Sequence, residues 1–357
     1  MTPLVPLDAV AIDLFGATRF AAAIVVPARD EAEGIGALVA SLAAQQGAAP
    51  FLTVIVVNGS RDATFALAVA ALRGARLPHI ILDAAVGEGG VGAARRLGAE
   101  AARPLAPNAA ILFTDADCVL DHRFVSAALA HLRHADAVCG LAALSDADEA
   151  GLTLLSPWAR HEAIYGGLCR AVAARIDPEQ CQGDEHDQTG GAALAVRRRT
   201  YDAVGGFTAL PFGEDGDLVG RCVAAGFRIV RKSDMRVLTS ARTVGRTPYG
   251  MATTLAERAT EVDPVADRAL EPFGAMVRRA AARARCRELT LRGASLASLA
   301  RRFAVPPAEV IHLDRSHSFG AAWSHLERHS PHLARTALRF SALGNEIAAA
   351  ERWMAAG

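Results

Sequence analysis

Two carboxylates stand one residue apart at the end of an apolar run: Asp115 and Asp117, in ILFTDADCVLD (111–121). Side chains alternate along an extended segment, so the two point the same way. Like charges that close repel each other unless something positive lies between them. A solvated turn would account for the pair, since Asp is common where strands end. So would a divalent cation held by oxygen ligands. The segment is not an EF-hand loop: Val119 and Leu120 occupy positions that need a ligand and a glycine, and the closing Glu is missing. A Mg2+ or Mn2+ site asks for less. One or two carboxylates suffice when a phosphate substrate and water complete the octahedron.

Two further stretches offer chemistry. Glu214 and Asp215 in GEDGDL (213–218) open a helix. They serve there either as capping charges or, for one of them, as a general base. The glycine-rich GEGGVGAARRLG (87–98) runs into a helix, whose first N–H groups favour anions. It lacks the G-x-x-x-x-G-K-[ST] pattern of a P-loop. Arg95 and Arg96 add positive charge that either meets a diphosphate or is simply solvated.

These residues need a scaffold. Apolar runs recur at 21–27, 51–58, 79–83, 110–115 and 136–143, with helical stretches such as 31–46 and 62–74 between them. Continuous apolar runs alternating with helices predict parallel strands covered on both faces. The first ~140 residues therefore read as a doubly wound α/β sheet, with ligands at the carboxyl ends of the strands. PARDEAEG, NGSRDAT, the glycine-rich loop and DADCVLD all fall at such ends. A helix over 156–176 is expected to start at Ser156 with Pro157 at its first position. Residues 188–207 predict a small-residue turn, a short strand and a helix. Residues 211–227 predict an acidic loop and a helix capped by Gly226. The chain beyond Met251 reads as mostly helical, with a boundary near Gly250: a catalytic domain over 1–250 and a helical extension over 251–357 packed on it.

Six of these stretches, in order, resemble family 2 glycosyltransferases: IVVPARDEAEGI, VIVVNGSRDAT, GVGAARRLGAEAA, TDADCVLD, TGGAALAVRRRTYDAVGGF and FGEDGDLVGRCVAAGFRI. The resemblance implies a Rossmann-like GT-A mixed sheet, a nucleotide-sugar donor, a divalent metal (Mg2+ or Mn2+) and inversion at the anomeric carbon. It puts Pro27, Ala28, Arg29 and Glu31 at the nucleoside pocket, Asn58 beside the base, and Gly92 and Arg95 on the donor side. Asp115 faces ribose and metal, Asp117 ligates the metal, and Asp215 is the base. Gly190, Gly191 and Glu214 lie on the acceptor side. The chain departs from the family pattern at Val57, Arg29, Asp30 and Arg96, which leaves the nucleotide open. His186, in GDEHDQTGG, is either a further metal ligand or a solvated side chain.

Charge and composition narrow the field. The 38 basic and 38 acidic residues balance, so no global field points to nucleic acid. Six scattered cysteines without a C-x-x-C pair read as reduced core thiols of a cytoplasmic protein. No signal peptide is recognisable, and no apolar run reaches the roughly 20 residues a membrane span needs; peripheral membrane contact stays open. ASLASLARRFAVPPAEVI (294–311) resembles the start of a helix-turn-helix, which gives a DNA-binding regulator as a rival reading. Its second helix offers little chemistry for base edges. The arginines of RRAAARARCREL (278–289) read as a solvated helix. A sugar nucleotidyltransferase and an inactive donor-binding relative are two more rival readings.

Overall fold

The computed structural model describes residues 7–144, 159–180, 183–210, 212–239, 261–267, 269–293, 295–309 and 318–356. They fall into two compact units. The first comprises Met1–Asp148, Gln188–Cys222 and Phe227–Thr253; the second comprises Glu149–Asp187, Val223–Gly226 and Thr254–Gly357.

The first unit is built on nine strands: β1 (Leu7–Asp13), β2 (Ala22–Ala28), β3 (Phe51–Val57), β4 (His79–Ala84), β5 (Ala110–Phe113), β6 (Val119–Leu120), β7 (Ala137–Leu144), β8 (Leu194–Val196) and β9 (Ile229–Thr239). Their order is β1-β4-β3-β2-β5-β8-β7-β9-β6. The centre, β4-β3-β2-β5, is parallel. β1 closes one side antiparallel to β4, and β8 runs antiparallel between β5 and β7. The sheet is therefore mixed. The continuous apolar runs are the buried parallel strands, and β2 and β3 are almost wholly enclosed. β1 escapes the pattern because it is an edge strand, with Leu7, Val10 and Ile12 exposed.

Helices α1 (Ile35–Ala43), α2 (Thr64–Gly74), α3 (Gly90–Ala102) and α4 (Phe124–His131) fill the crossovers. Two apolar clusters result, one on each face of the sheet. α3 lies close on β2 and β3 because Gly98 carries no side chain; a Cβ there would stand 2.5 Å from Val25 Cγ1. In chain order, α5 (Ala159–Ile176), α6 (Arg198–Ala203) and α7 (Glu214–Ala224) follow. α7 ends as its sequence predicts. Gly226 has φ +83°, and the N–H of Phe227 returns to the carbonyl of Cys222 at 3.0 Å. Ser156 and Pro157, the expected start of α5, lie outside the described residues.

The described residues of the second unit are mainly helical: α5, α8 (Phe273–Leu291), α9 (Leu296–Arg302), α10 (Phe319–His329) and α11 (Leu343–Ala356). Tyr165, Phe273, Phe340 and Leu343 form one core, and Trp323, Leu326 and Leu333 part of another. The α8 arginines correct the solvated-helix expectation. Arg279, Arg283 and Arg287, four apart and so on one face, are only 12%, 14% and 18% exposed. Arg279 pairs with buried Glu271 at 2.6 Å, and Arg283 and Arg287 both pair with buried Asp177. Three cations of the basic stretch are thus paired with acids within the unit. Most of the expected second helix of the helix-turn-helix lies outside the described residues.

Of the cysteines, Cys118, Cys139, Cys169, Cys222 and Cys286 are free thiols, four of them buried; Cys181 lies outside the described residues. No helix among the described residues is long and apolar enough to cross a membrane.

Candidate active site

The carboxyl ends of β2, β3, β4 and β5 lie side by side, so the loops that follow them share one edge of the sheet. The loops after β2 and β3 are locked together. The N–H of Asp30 donates to Ser60 Oγ at 2.9 Å, and that of Glu31 to Thr64 Oγ1 at 2.8 Å. The N–H of Ala32 donates to Asp62 Oδ2 at 3.0 Å, and that of Arg61 returns to Asp30 Oδ1 at 2.8 Å. Asp62 also accepts from the Thr64 hydroxyl. Asp30 sits at φ +52°, a left-handed conformation that Asn and Asp tolerate better than other side chains.

Asn58 ties the next loop in. Its N–H donates to the Ala28 carbonyl at 2.8 Å, and its Oδ1 accepts the Val86 N–H at 3.1 Å. Pro27 and Ala28 are the last residues of β2; Ala28 and Glu31 are buried and Arg29 is exposed. Gly92, on α3, has a packing role. A Cβ there would collide with the Thr208 carbonyl and come within 3.0 Å of the Leu210 carbonyl. Gly92→Ala is expected to cost about 1–3 kcal/mol of stability through overpacking. A thermal melt indistinguishable from wild type would contradict this.

β5 ends at Phe113, two residues before the expected limit. Asp115 and Asp117 consequently lie in a turn rather than on the strand, and the Cys118 N–H closes that turn on the Asp115 carbonyl at 3.2 Å. Ala116 and Cys118 point into the core, while Asp115 and Asp117 remain partly exposed. Their carboxylate oxygens and the Cys118 sulfur lie within 4.8 Å of one another.

The positive group beside Asp115 is a protein side chain. Arg95 Nη2 donates to Asp115 Oδ1 at 2.6 Å, and Arg95 Nε lies 3.5 Å from Glu214 Oε1. Arg95 is buried, with its guanidinium 5.6 Å from the Phe207 ring centroid. It is not solvated, and its charge faces two carboxylates. Gly191 makes the pairing possible, since a Cβ there would overlap the Arg95 guanidinium. Arg96, where the family has Asn, donates to the Phe207 carbonyl at 3.1 Å.

The two acids that open α7 have different surroundings. Glu214 is buried against Arg95. Burial pushes its pKa up, Arg95 opposes the rise, and the charges of Asp215 and Asp115 add to it. Asp215 is partly exposed; its Oδ2 accepts the Gly191 N–H and its Oδ1 the Gly216 N–H, each at 2.7 Å. Of the two, Asp215 is the carboxylate that another molecule can reach. Gly190 begins the turn before β8, with room around it.

A raised carboxylate pKa has a defined sign in stability. The ionised Glu214 is disfavoured by folding at neutral pH, and the penalty vanishes as pH falls through the folded pKa to the ordinary carboxylate value. Glu214→Gln is therefore expected to gain stability relative to wild type at pH 7, with the gain shrinking towards pH 4. Thermal melts across that range test it. A difference that grows on acidification would show that the ion pair with Arg95 outweighs burial.

The donor set at 115–118 fits a hard cation. Two carboxylates supply oxygen ligands. The Cys118 thiol is held protonated by burial and by the charges of Asp115 and Asp117, so it does not compete as a thiolate. His186, in the second unit, is buried, contrary to the solvated reading.

A mixed α/β sheet with acidic and glycine-rich loops at the carboxyl ends of its parallel strands has the architecture of a GT-A glycosyltransferase. Residues 20–262 match the family model described as Glycosyltransferase like family 2, and the chain belongs to that family of enzymes. No curated protein matches the chain. Remote likenesses among solved structures include the mannosyltransferase PcManGT from Pyrobaculum calidifontis in complex with GDP-Man and Mn2+, 14% identical over 89% of each chain, TM-score 0.43. Residues 1–349 of S. aureus TarS in complex with UDP-GlcNAc are 17% identical over 86% of this chain and 90% of that one, TM-score 0.47. A mycobacterial protein is 19% identical over 74% and 73%, TM-score 0.42.

Proposed function

We propose that this enzyme moves a sugar from a nucleotide-diphospho-sugar to an acceptor hydroxyl, inverting the anomeric carbon. The nucleoside lies along Pro27, Ala28, Arg29, Glu31 and Asn58. Asp115 and Asp117 hold a Mg2+ or Mn2+ ion. When bound, that ion supplies charge neutralisation for the departing diphosphate. Asp215 accepts the proton of the acceptor hydroxyl as its oxygen bonds to the anomeric carbon and the bond to the diphosphate breaks. Arg95 holds Asp115 in place, and Glu214 completes the pocket around Arg95.

The observation that carries this reading is the continuous polar chain at one sheet edge: Asp115 to Arg95 to Glu214, with Gly191 making room for Arg95 and donating to Asp215. A solvated turn and an ordinary helix cap would not need a buried arginine and a close-packed glycine between them. The test is a thermal-shift panel of nucleoside-diphospho-sugars with Mn2+. A ligand that binds only the native state must raise its apparent stability. The reading requires stabilisation by at least one nucleotide class; no response to any would contradict it.

A further inference from the structure

α10 carries a second group of ligating side chains, in the other unit and outside the residues matched by the family model. His325 and His329 are four residues apart and share one face of the helix. Their rings are 4.4 Å apart between centroids and tilted by 30°. Glu309, in the turn closed by its N–H on the Pro306 carbonyl at 2.9 Å, faces both. Its Oε2 lies 3.5 Å from His325 Nε2 and 3.6 Å from His329 Nε2. The nitrogens and the carboxylate oxygen all fall within 4.8 Å of one another.

The two nitrogen–oxygen separations are close to what a small tetrahedral ion requires. Bonds of roughly 2.0–2.1 Å place neighbouring ligand atoms of a tetrahedron about 3.4 Å apart. Two imidazoles and one carboxylate form a borderline donor set that suits Zn2+ and its neighbours Co2+, Ni2+ and Cu2+ far better than Mg2+ or Ca2+. The side chains of Glu309, His325 and His329 are 31%, 14% and 28% exposed, so an ion has a way in, and water can take the fourth position. The Glu309 carbonyl oxygen lies 3.0 Å from the same His325 nitrogen, so an ion bound there displaces that contact.

We infer that Glu309, His325 and His329 form a site for a divalent transition-metal ion of the zinc type, which clips the turn at 306–309 to α10. The site is independent of the transferase reading and of the carboxylates at 115 and 117. Its ion is held by nitrogen as well as oxygen, and it stabilises the helical unit without entering the transfer reaction.

The test uses the full chain, freed of any histidine tag and stripped with EDTA. Zn2+ is titrated calorimetrically with Mg2+ in excess, so that hard-ion sites are filled and the imidazoles stay available. One equivalent of Zn2+ is expected to bind and to raise the melting temperature. His325→Gln and His329→Gln are each expected to weaken binding at least tenfold, and Glu309→Gln to weaken it less. Asp117→Asn is expected to leave it unchanged. If a His variant fails to fold, Co2+ added to the wild-type chain supplies the second readout: an intense visible band of a four-coordinate site with nitrogen ligands, bleached by Zn2+. Absence of that band, absence of Zn2+ binding, or equal affinity in the folded double His variant would overturn the inference and leave an ordinary His–Glu ion pair.

Discussion

Asp215→Asn is expected to yield a folded protein that binds donor normally and transfers sugar roughly 10²- to 10⁴-fold more slowly, the usual loss when a general base is removed. The competing role for Asp215 is structural. Its two carboxylate oxygens accept the N–H groups of Gly191 and Gly216 at the start of α7. Asn keeps one carbonyl oxygen for one of these bonds, so the stability loss should be about 1 kcal/mol. The two roles thus separate by kind of effect. A base affects turnover and spares donor affinity; a cap affects the melting temperature and spares turnover. Glu214 is the wrong residue for this experiment, because its burial against Arg95 mixes a change in stability with any catalytic effect. Near-wild-type turnover in Asp215→Asn would leave it a cap and move the search for the base elsewhere.

Asp117→Asn is expected to weaken metal-dependent binding of a nucleoside diphosphate by at least about 10- to 100-fold. That range is typical for losing a residue that only supports a metal ligand, so a direct ligand should lose no less. Asp117 is the better choice of the pair, because Asp115→Asn would also take the carboxylate from buried Arg95 and so destabilise the fold. Titration calorimetry with Mn2+ and with EDTA measures the effect. Equal affinity in the two conditions for the wild-type chain would contradict the metal role, whatever the variant does.

The parallel centre of the sheet was legible in the sequence because buried strands are continuous apolar runs, and β2 to β5 are such runs. β1 and β9 were not. β1 is an edge strand with apolar residues in solvent, and β9, IVRKSDMRVLT, carries charge through most of its length. The motif residues were legible as types and spacing, and the structure gathers the loops that carry them at one edge. What spacing could not give was pairing. Arg95 and Asp115 are 20 residues apart, and nothing local says that a glycine at 191 leaves the space in which they meet. The same limit applied to α8. Its arginines looked solvated because Glu271 and Asp177, the acids that bury them, come from other segments. The hydrogen-bonded lock between the loops after β2 and β3 had a signal in N-G-S-R-D-A-T, whose Ser, Asp and Thr are all side-chain acceptors at turns.

The central claim is a single displacement, with Asp215 on the acceptor side and the diphosphate held at Asp115 and Asp117. Product stereochemistry tests it most directly. The enzyme would be given the α-linked nucleotide sugar that stabilises it best, Mn2+ and a set of simple alcohols and alkyl glycosides, and the anomeric proton coupling of the product read by NMR. A single displacement gives the β-glycoside. An α-glycoside would require an even number of inversions or a front-side path, and would contradict the role given to Asp215.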